Sequence, residues 1–251
     1  MKVRSFFSAG VLLAVALIFS CSSDDDGGGG GSSGGGELDD KGNDIGSYKT
    51  VVIGTQTWMA ENLNYAVTGS KCYGEGGEVV IDWDRENRIP ITTKIPNAEV
   101  QANCEKYGRL YDWVTAMALP PSCNENSCSN QIQPKHKGIC PSGWHIPSHD
   151  DWEILMDYVG DNAETKLKAK NGWSNNGNGT DEFEFSALPG GIGVPGGYGN
   201  VGNYGHWWSA TEIDASLAYF RFMSYYESYY GSVGKGSNPK SSLFSVRCVK
   251  D

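Results

Sequence analysis

Three groups of residues in this chain could do chemistry: clustered carboxylates, a close pair of histidines and a crowd of tyrosines. Asp82, Asp84 and Glu86 alternate along one segment, and Asp181, Glu182 and Glu184 surround Phe183 in another. Two acids across a sugar are all a glycoside hydrolase needs, so carboxylates alone leave that chemistry open. Charged clusters in loops are more often solvated surface, which favours a non-catalytic reading. The alternating oxygens at 82, 84 and 86 could also hold a structural calcium. They lack the glycine turn and distal glutamate of an EF-hand loop. His145 and His149 have the spacing of two zinc ligands on a helix. However, Pro147 lies between them and Ser148 opens the helix, so they cannot share a helical face. His145 is expected to hydrogen-bond within the fold instead. Neither a Gly-x-Ser-x-Gly elbow nor a His-Glu-x-x-His pair is present, and no catalytic residue, metal ligand or cofactor is assigned.

The most suggestive surface is aromatic. Tyr225, Tyr226, Tyr229 and Tyr230 crowd a short glycine-flanked stretch, with Tyr198 and Tyr204 in the preceding glycine-rich loops. Flat rings with polar tips bury large areas at low entropic cost, which suits sugars or protein partners. Strand alternation would turn half of such a row inward. Trp207, Trp208 and Phe220 are therefore expected in the core, with at least two tyrosines outside. Tyr204, Tyr225, Tyr226, Tyr229 and Tyr230 are the candidate ligand-binding residues.

The amino terminus fixes the expected compartment. Lys2 and Arg4 precede an apolar run from Val11 to Phe19, followed by Ser20 and Cys21. This reads as a secretory signal peptide over residues 1–20, too short to span a bilayer. Cys21 at the cut is the acceptor for lipid, so the membrane is met only through an anchor. Residues 21–46 carry seven acids against Lys41 among glycine and serine, which reads as a flexible acidic tether. Its opening Ser-Asp-Asp-Asp run resembles a tag for the outer face of the outer membrane. The formal net charge is −10, which argues against nucleic acid and anionic lipid surfaces as partners. Six cysteines remain beyond Cys21: Cys72, Cys104, Cys123, Cys128, Cys140 and Cys248. An even number in an exported chain reads as a disulfide framework, with many pairings open.

Residues 47–251 are expected to fold as one domain. Thr50–Ile53 and Gln56–Met59 flank Gly54 as a small hairpin. Residues 97–119 carry apolar residues near the helical period, split at Gly108 and ended by Pro120-Pro121. Ser148 to Asp151 fits a capping box leading a helix with Trp152, Leu155, Met156 and Val159 on one face, stopped by Gly160. A second short helix is expected over residues 161–170. Strands are expected over 207–211, 218–226 and 242–249, with glycine loops between them. Helices early and strands late predict an α+β domain.

Six motifs then occur in order: Trp58-Met-Ala-Glu-Asn-Leu-Asn-Tyr65, Tyr107-Gly-Arg-Leu-Tyr-Asp-Trp113, Cys140-Pro-Ser-Gly-Trp-His-Ile-Pro-Ser148, Phe185-Ser-Ala-Leu-Pro-Gly190, Trp208-Ser-Ala-Thr-Glu212 and Ser245-Val-Arg-Cys-Val249. Together they resemble the Fibrobacter succinogenes major paralogous domain family, over about Thr50 to Lys250. The resemblance implies a surface domain, often a lipoprotein, and distant kinship with the C-type lectin-like fold, whose terminal strand returns to the first. The Glu-Pro-Asn-like and Trp-Asn-Asp-like calcium motifs of such lectins are missing. Trp144 and Trp152 in or beside the third motif read as core anchors. Cys140 and Cys248 lie inside recognised motifs, so a bond between them would clamp the last strand. Cys123 and Cys128 enclose a short polar loop, and elimination leaves Cys72 with Cys104. The expected protein is a lipid-anchored, surface-exposed, non-enzymatic binding or adhesion domain for polysaccharide or cell-envelope components. A carbohydrate-active hydrolase and an envelope-assembly partner are the alternatives.

Overall fold

Two short β-branched runs around a glycine turn begin the domain, and its last strand returns to pair with them. The computed structural model describes residues 48–226 and 233–251. The segments read as signal peptide (1–20) and tether (21–46), Cys21 included, lie outside the described residues, as do Tyr229 and Tyr230. In chain order the elements are β1 (Thr50–Ile53), β2 (Gln56–Met59), β3 (Glu78–Asp84), β4 (Ile89–Thr93), α1 (Asn97–Tyr107), α2 (Trp113–Ala116), β5 (Trp144–His145), α3 (His149–Val159), α4 (Ala163–Leu167), β6 (Ile192–Val194), β7 (Gly197–Gly199), β8 (Tyr204–Glu212), β9 (Leu217–Ser224), β10 (Gly234–Pro239) and β11 (Val249–Lys250). The described residues form sheets in the orders β1-β2-β11-β5, β10-β9-β8 and β4-β3-β7-β6. The domain is α+β.

Helix boundaries follow local chemistry. α1 stops at Gly108, whose φ is 75°. A side chain there would be strained by that dihedral and would press on the Leu63 carbonyl and Asn62. α2 begins where the Asp112 carboxylate accepts from the Thr115 amide. α3 carries a full capping box, Ser148 and Asp151 each bonding the other's backbone amide. It buries Trp152, Leu155 and Val159.

Several sequence expectations need correction. Beyond the expected β1–β2 hairpin, a second pair of strands, β3 and β4, precedes the first helix. β3 and β4 lie where acids suggested loops, because a β-branched and aromatic run alternates with those acids. Only Val249 of the expected 242–249 strand is regular, as the first residue of β11, since Leu243, Phe244 and Ser245 each make an isolated bridge to a different segment. β9 ends at Ser224 rather than Tyr226, and β10 pairs beside it without an apolar pattern of its own.

Disulfides staple this loop-rich chain. Cys72 joins Cys104, Cys123 joins Cys128 and Cys140 joins Cys248. These are the pairs expected from the sequence. The last ties β5's entry loop to β11, which hydrogen-bonds both β2 and β5. Trp58, Trp152, Phe185 and Trp207 pack around one another, Trp58 and Trp152 with centroids 4.8 Å apart. Trp207 and Trp208 are fully buried, whereas Trp144 and Phe220 are partly buried and pack against the edge of the core. The tryptophan Trp144 is thus an edge residue, not a core anchor.

His206 on β8 makes part of the stability depend on pH. Its ring stacks on Phe244 at 5.0 Å. Burial lowers its pKa to about 4, opposed only by a hydrogen bond to the Gly191 carbonyl. The folded value lies below the unfolded one of about 6.5. Its contribution is therefore complete above about pH 6.5 and lost as pH falls toward 4. Urea unfolding between pH 7 and 4 should show His206→Phe losing on the order of 3 kcal/mol less stability than the parent. Parallel curves for the two proteins would contradict this assignment.

Candidate functional site

The register of β8 with β9 builds the aromatic cluster. Tyr204 opens β8 opposite Ser224 at the end of β9, so the two residues after Ser224 fall beside the Tyr204 ring. Tyr204 meets Tyr225 and Tyr226 edge-on, each at 6.3 Å between centroids, and Tyr225 meets Tyr226 at 5.0 Å. The Tyr204 hydroxyl donates to that of Tyr226 at 3.1 Å. The Ser224 hydroxyl fixes the bend, donating to the Tyr226 carbonyl and accepting from its amide. Burial, then the bond to Tyr226, pushes the Tyr204 hydroxyl up to about 12. It therefore stays protonated and polar at neutral pH. Beneath the cluster, Glu164 of α4 accepts from the Ser224 amide and Lys168 donates to the Ser224 carbonyl. The neighbouring loop approaches so closely that a Cβ on Gly177 would lie 1.7 Å from the Tyr225 carbonyl oxygen. Only glycine fits there.

Exposure divides the candidates. Tyr226 is half exposed, while Tyr204 and Tyr225 are partly buried. Tyr198 does not join them. It is buried on β7 against Tyr73, at 5.4 Å, and its hydroxyl donates to the Glu75 carbonyl. Among the described candidates only Tyr226 is exposed, and Tyr229 and Tyr230, which share the expectation of two exposed rings, lie outside the described residues.

The carboxylates of the two acidic segments are held by local hydrogen bonds. Asp82 and Asp84 stand on β3, and Asp84 is tied to the following turn by the side chain and amide of Asn87. Those bonds lower its pKa. Asp181 accepts from both the amide and hydroxyl of Ser186. It lines a groove of about 560 Å³ with Glu61, Glu184, Ser186 and Lys49. Among the described residues, no group of three or more histidines, cysteines or acids could hold a metal ion.

His145 is hydrogen-bonded within the fold. Its Nδ1 lies 2.8 Å from Asp251 and its Nε2 3.4 Å from Asp151. Burial alone would lower its pKa, but bonds to Asp151 and Asp251 outweigh burial and raise it. His149 instead meets Glu153 on α3 at 3.2 Å.

The family motifs meet inside the protein. Asn62 donates to the Tyr107 carbonyl and the Ser245 hydroxyl. Its Oδ1 accepts from Trp207 at 2.8 Å and from two nitrogens of Arg247. Arg247 is fully buried and also donates to the carbonyls of Phe185 and Ser186. Its guanidinium lies over the Phe185 ring at 4.3 Å. Burial lowers its pKa to about 9, leaving it charged at neutral pH. This knot draws on most of the motifs, and it turns their polar groups toward one another rather than toward solvent. Buried polar networks satisfied in this way rigidify a core and specify its arrangement.

A second buried pair gave no signal in the sequence. Lys240, fully buried, bonds Glu212 and the carbonyls of Cys123, Asn126 and Ala215, with its ammonium 4.9 Å above Trp113. Glu212 also accepts from the Cys128 amide and the Ser127 hydroxyl. The pair pins the Cys123–Cys128 loop to the core. Position in a strand end and a turn, far apart in sequence, hides such a contact.

No curated protein and no solved structure matches the chain. The family model of the Fibrobacter succinogenes major domain matches residues 51–250, and the chain belongs to that family.

Proposed function

We propose that this domain is a non-enzymatic binding module, displayed on the cell surface by a lipidated Cys21 and an acidic tether. Its ligand is polysaccharide or another cell-envelope component. The observation that carries this reading is the fixed cluster of Tyr204, Tyr225 and Tyr226, with Tyr226 half in solvent. Rings held rigid before binding offer stacking area without an ordering cost. The return of β11 to the β1–β2 hairpin supports a distant C-type lectin-like kinship. No helix among the described residues is long and apolar enough to cross a membrane.

The test is retention of residues 47–251 on insoluble polysaccharides and a glycan array. Binding is expected without release of reducing ends, and Tyr226→Ala should weaken it about tenfold, for a ring contact of about 1.4 kcal/mol. Reducing ends that accumulate with time would favour the hydrolase. Binding unaffected by Tyr226→Ala would remove the tyrosine platform.

A further inference from the structure

We propose that the pocket at the end of α2 binds an alkylammonium group, an aliphatic stem ending in a charged –NH3+ head. The pocket measures about 380 Å³, which falls in the range of small-molecule sites. It shares no residue with the tyrosine cluster, so it goes beyond the binding surface proposed above. Backbone bonds build its walls. The Leu119 amide donates to the Val114 carbonyl and closes the helix end, and the Ile139 amide donates to the Ala116 carbonyl. The Ser70 hydroxyl donates to the Val67 carbonyl and accepts from the Val67 amide, which fixes the turn between them. Gly69 in that turn has a φ of 94°, and a Cβ on it would lie 2.9 Å from the Thr115 hydroxyl oxygen. Walls held before binding carry little ordering cost.

The lining selects the charge of the ligand. Val67, Val114, Leu119 and Ile139 are apolar, and Asp112 is the one charged side chain among the described lining residues. One Asp112 oxygen accepts from the Thr115 amide at 2.6 Å and caps α2. The other makes no hydrogen bond and no ion pair among the described residues. Asp112 is partly buried, so water screens its charge less and it attracts a cation more strongly. The hydroxyls of Thr68 and Thr115, also in the lining, make no hydrogen bond among the described residues either.

Asn124 adds an acceptor. It lines the same pocket, and its amide oxygen is buried without a partner. An unpaired buried acceptor is rare in folded proteins. The amide nitrogen makes no hydrogen bond among the described residues. With neither end held, rotation about the last side-chain bond brings the oxygen to a donor in the pocket. Ala118, also in the lining, has a φ of 51°, a strain for a residue with a side chain that gathers at ligand sites. An ammonium offers three N–H donors and no acceptor. Those donors match Asp112, Asn124 and a threonine hydroxyl, while the stem meets the aliphatic walls. An anion would face the charge of Asp112. A sugar ring would find no aromatic face among the described lining residues.

Methyl NMR on the mature chain from residue 21, with Cys21→Ser to exclude lipid, tests the site with pentylamine, 1-pentanol and pentanoate. Pentylammonium should shift the methyls of Val114, Leu119 and Ile139 saturably, with a Kd of about millimolar for so small a ligand. Pentanol and pentanoate should bind about tenfold more weakly, because neither makes a charge-assisted bond to a carboxylate. Asp112→Asn keeps a residue that caps helices. It should weaken pentylammonium about tenfold while methyl signals elsewhere stay in place. If that variant fails to fold, the pentanol comparison on the parent decides. Equal affinity for pentanol, unchanged affinity in a folded Asp112→Asn, or no saturable shift at these methyls would overturn the proposal. Two further probes, Nα-acetyl-lysine methylamide and 1,5-diaminopentane, separate the sources of such a head. Binding of the first extends the site to lysine side chains, and binding of the second alone assigns it to free amines. Polysaccharide retention tests a different surface and can succeed or fail independently.

Discussion

Asn62→Leu is expected to lower the unfolding free energy by about 3–5 kcal/mol, and Arg247→Met by clearly less. Both substitutions cut the same knot, but they leave different remnants. Without Asn62, the guanidinium of Arg247 keeps only the carbonyls of Phe185 and Ser186, and the Trp207 indole N–H loses its acceptor. A buried cation with part of its shell removed is the costlier remnant. Arg247→Met removes the charge together with its desolvation and leaves an apolar chain against Phe185 and Trp207. Methionine fills such irregular space well. Urea unfolding at pH 7 measures both variants. Equal losses, or a larger loss for Arg247→Met, would mean that charge burial is not what makes the knot costly to break.

Removing the Cys140–Cys248 bond as a double serine variant is expected to lower Tm by about 10–15 °C. The bond spans 108 residues, and closing a loop of that size removes about 4–5 kcal/mol of chain entropy from the unfolded state. For a domain of this length, each kcal/mol moves Tm by about 2–4 °C. The Cys123–Cys128 bond spans only 5 residues, so its loss should matter less by this route. Its loop is also held by Glu212 and Lys240. Calorimetry of both double variants checks the order, and a larger drop for the Cys123–Cys128 pair would contradict it.

Legibility in the sequence tracked the range of the interaction that decides each feature. The capping box at Ser148, the stop at Gly108 and the β1–β2 hairpin are decided within a few residues and could be read directly. β10 could not: Gly-Lys-Gly-Ser-Asn-Pro is a strand because β9 offers it a ladder, with the rings of Phe220 and Phe222 covering its glycines. The segment 242–248 read as a strand because its apolar residues are buried, yet tertiary bridges send them to different partners. For the candidate site, the tyrosine row was visible but its geometry was not. Tyr198 turned inward to Glu75, and Tyr225 and Tyr226 lie past the strand whose alternation would have sorted them. Buried Arg247 and Lys240 were invisible because charge ordinarily marks the surface. Four of the six family motifs meet in the interior through Asn62, Tyr107, Phe185, Ser245 and Arg247.

A double-mutant cycle on Asn62→Leu and Arg247→Met tests most directly whether the motifs form one interlocked interior. Denaturant unfolding of the parent, both single variants and the double variant should give a coupling of about 1.5–3 kcal/mol, because losing the cation relieves what losing its acceptor inflicts. Losses that simply add, within about 0.5 kcal/mol, would show two independent residues and contradict the account.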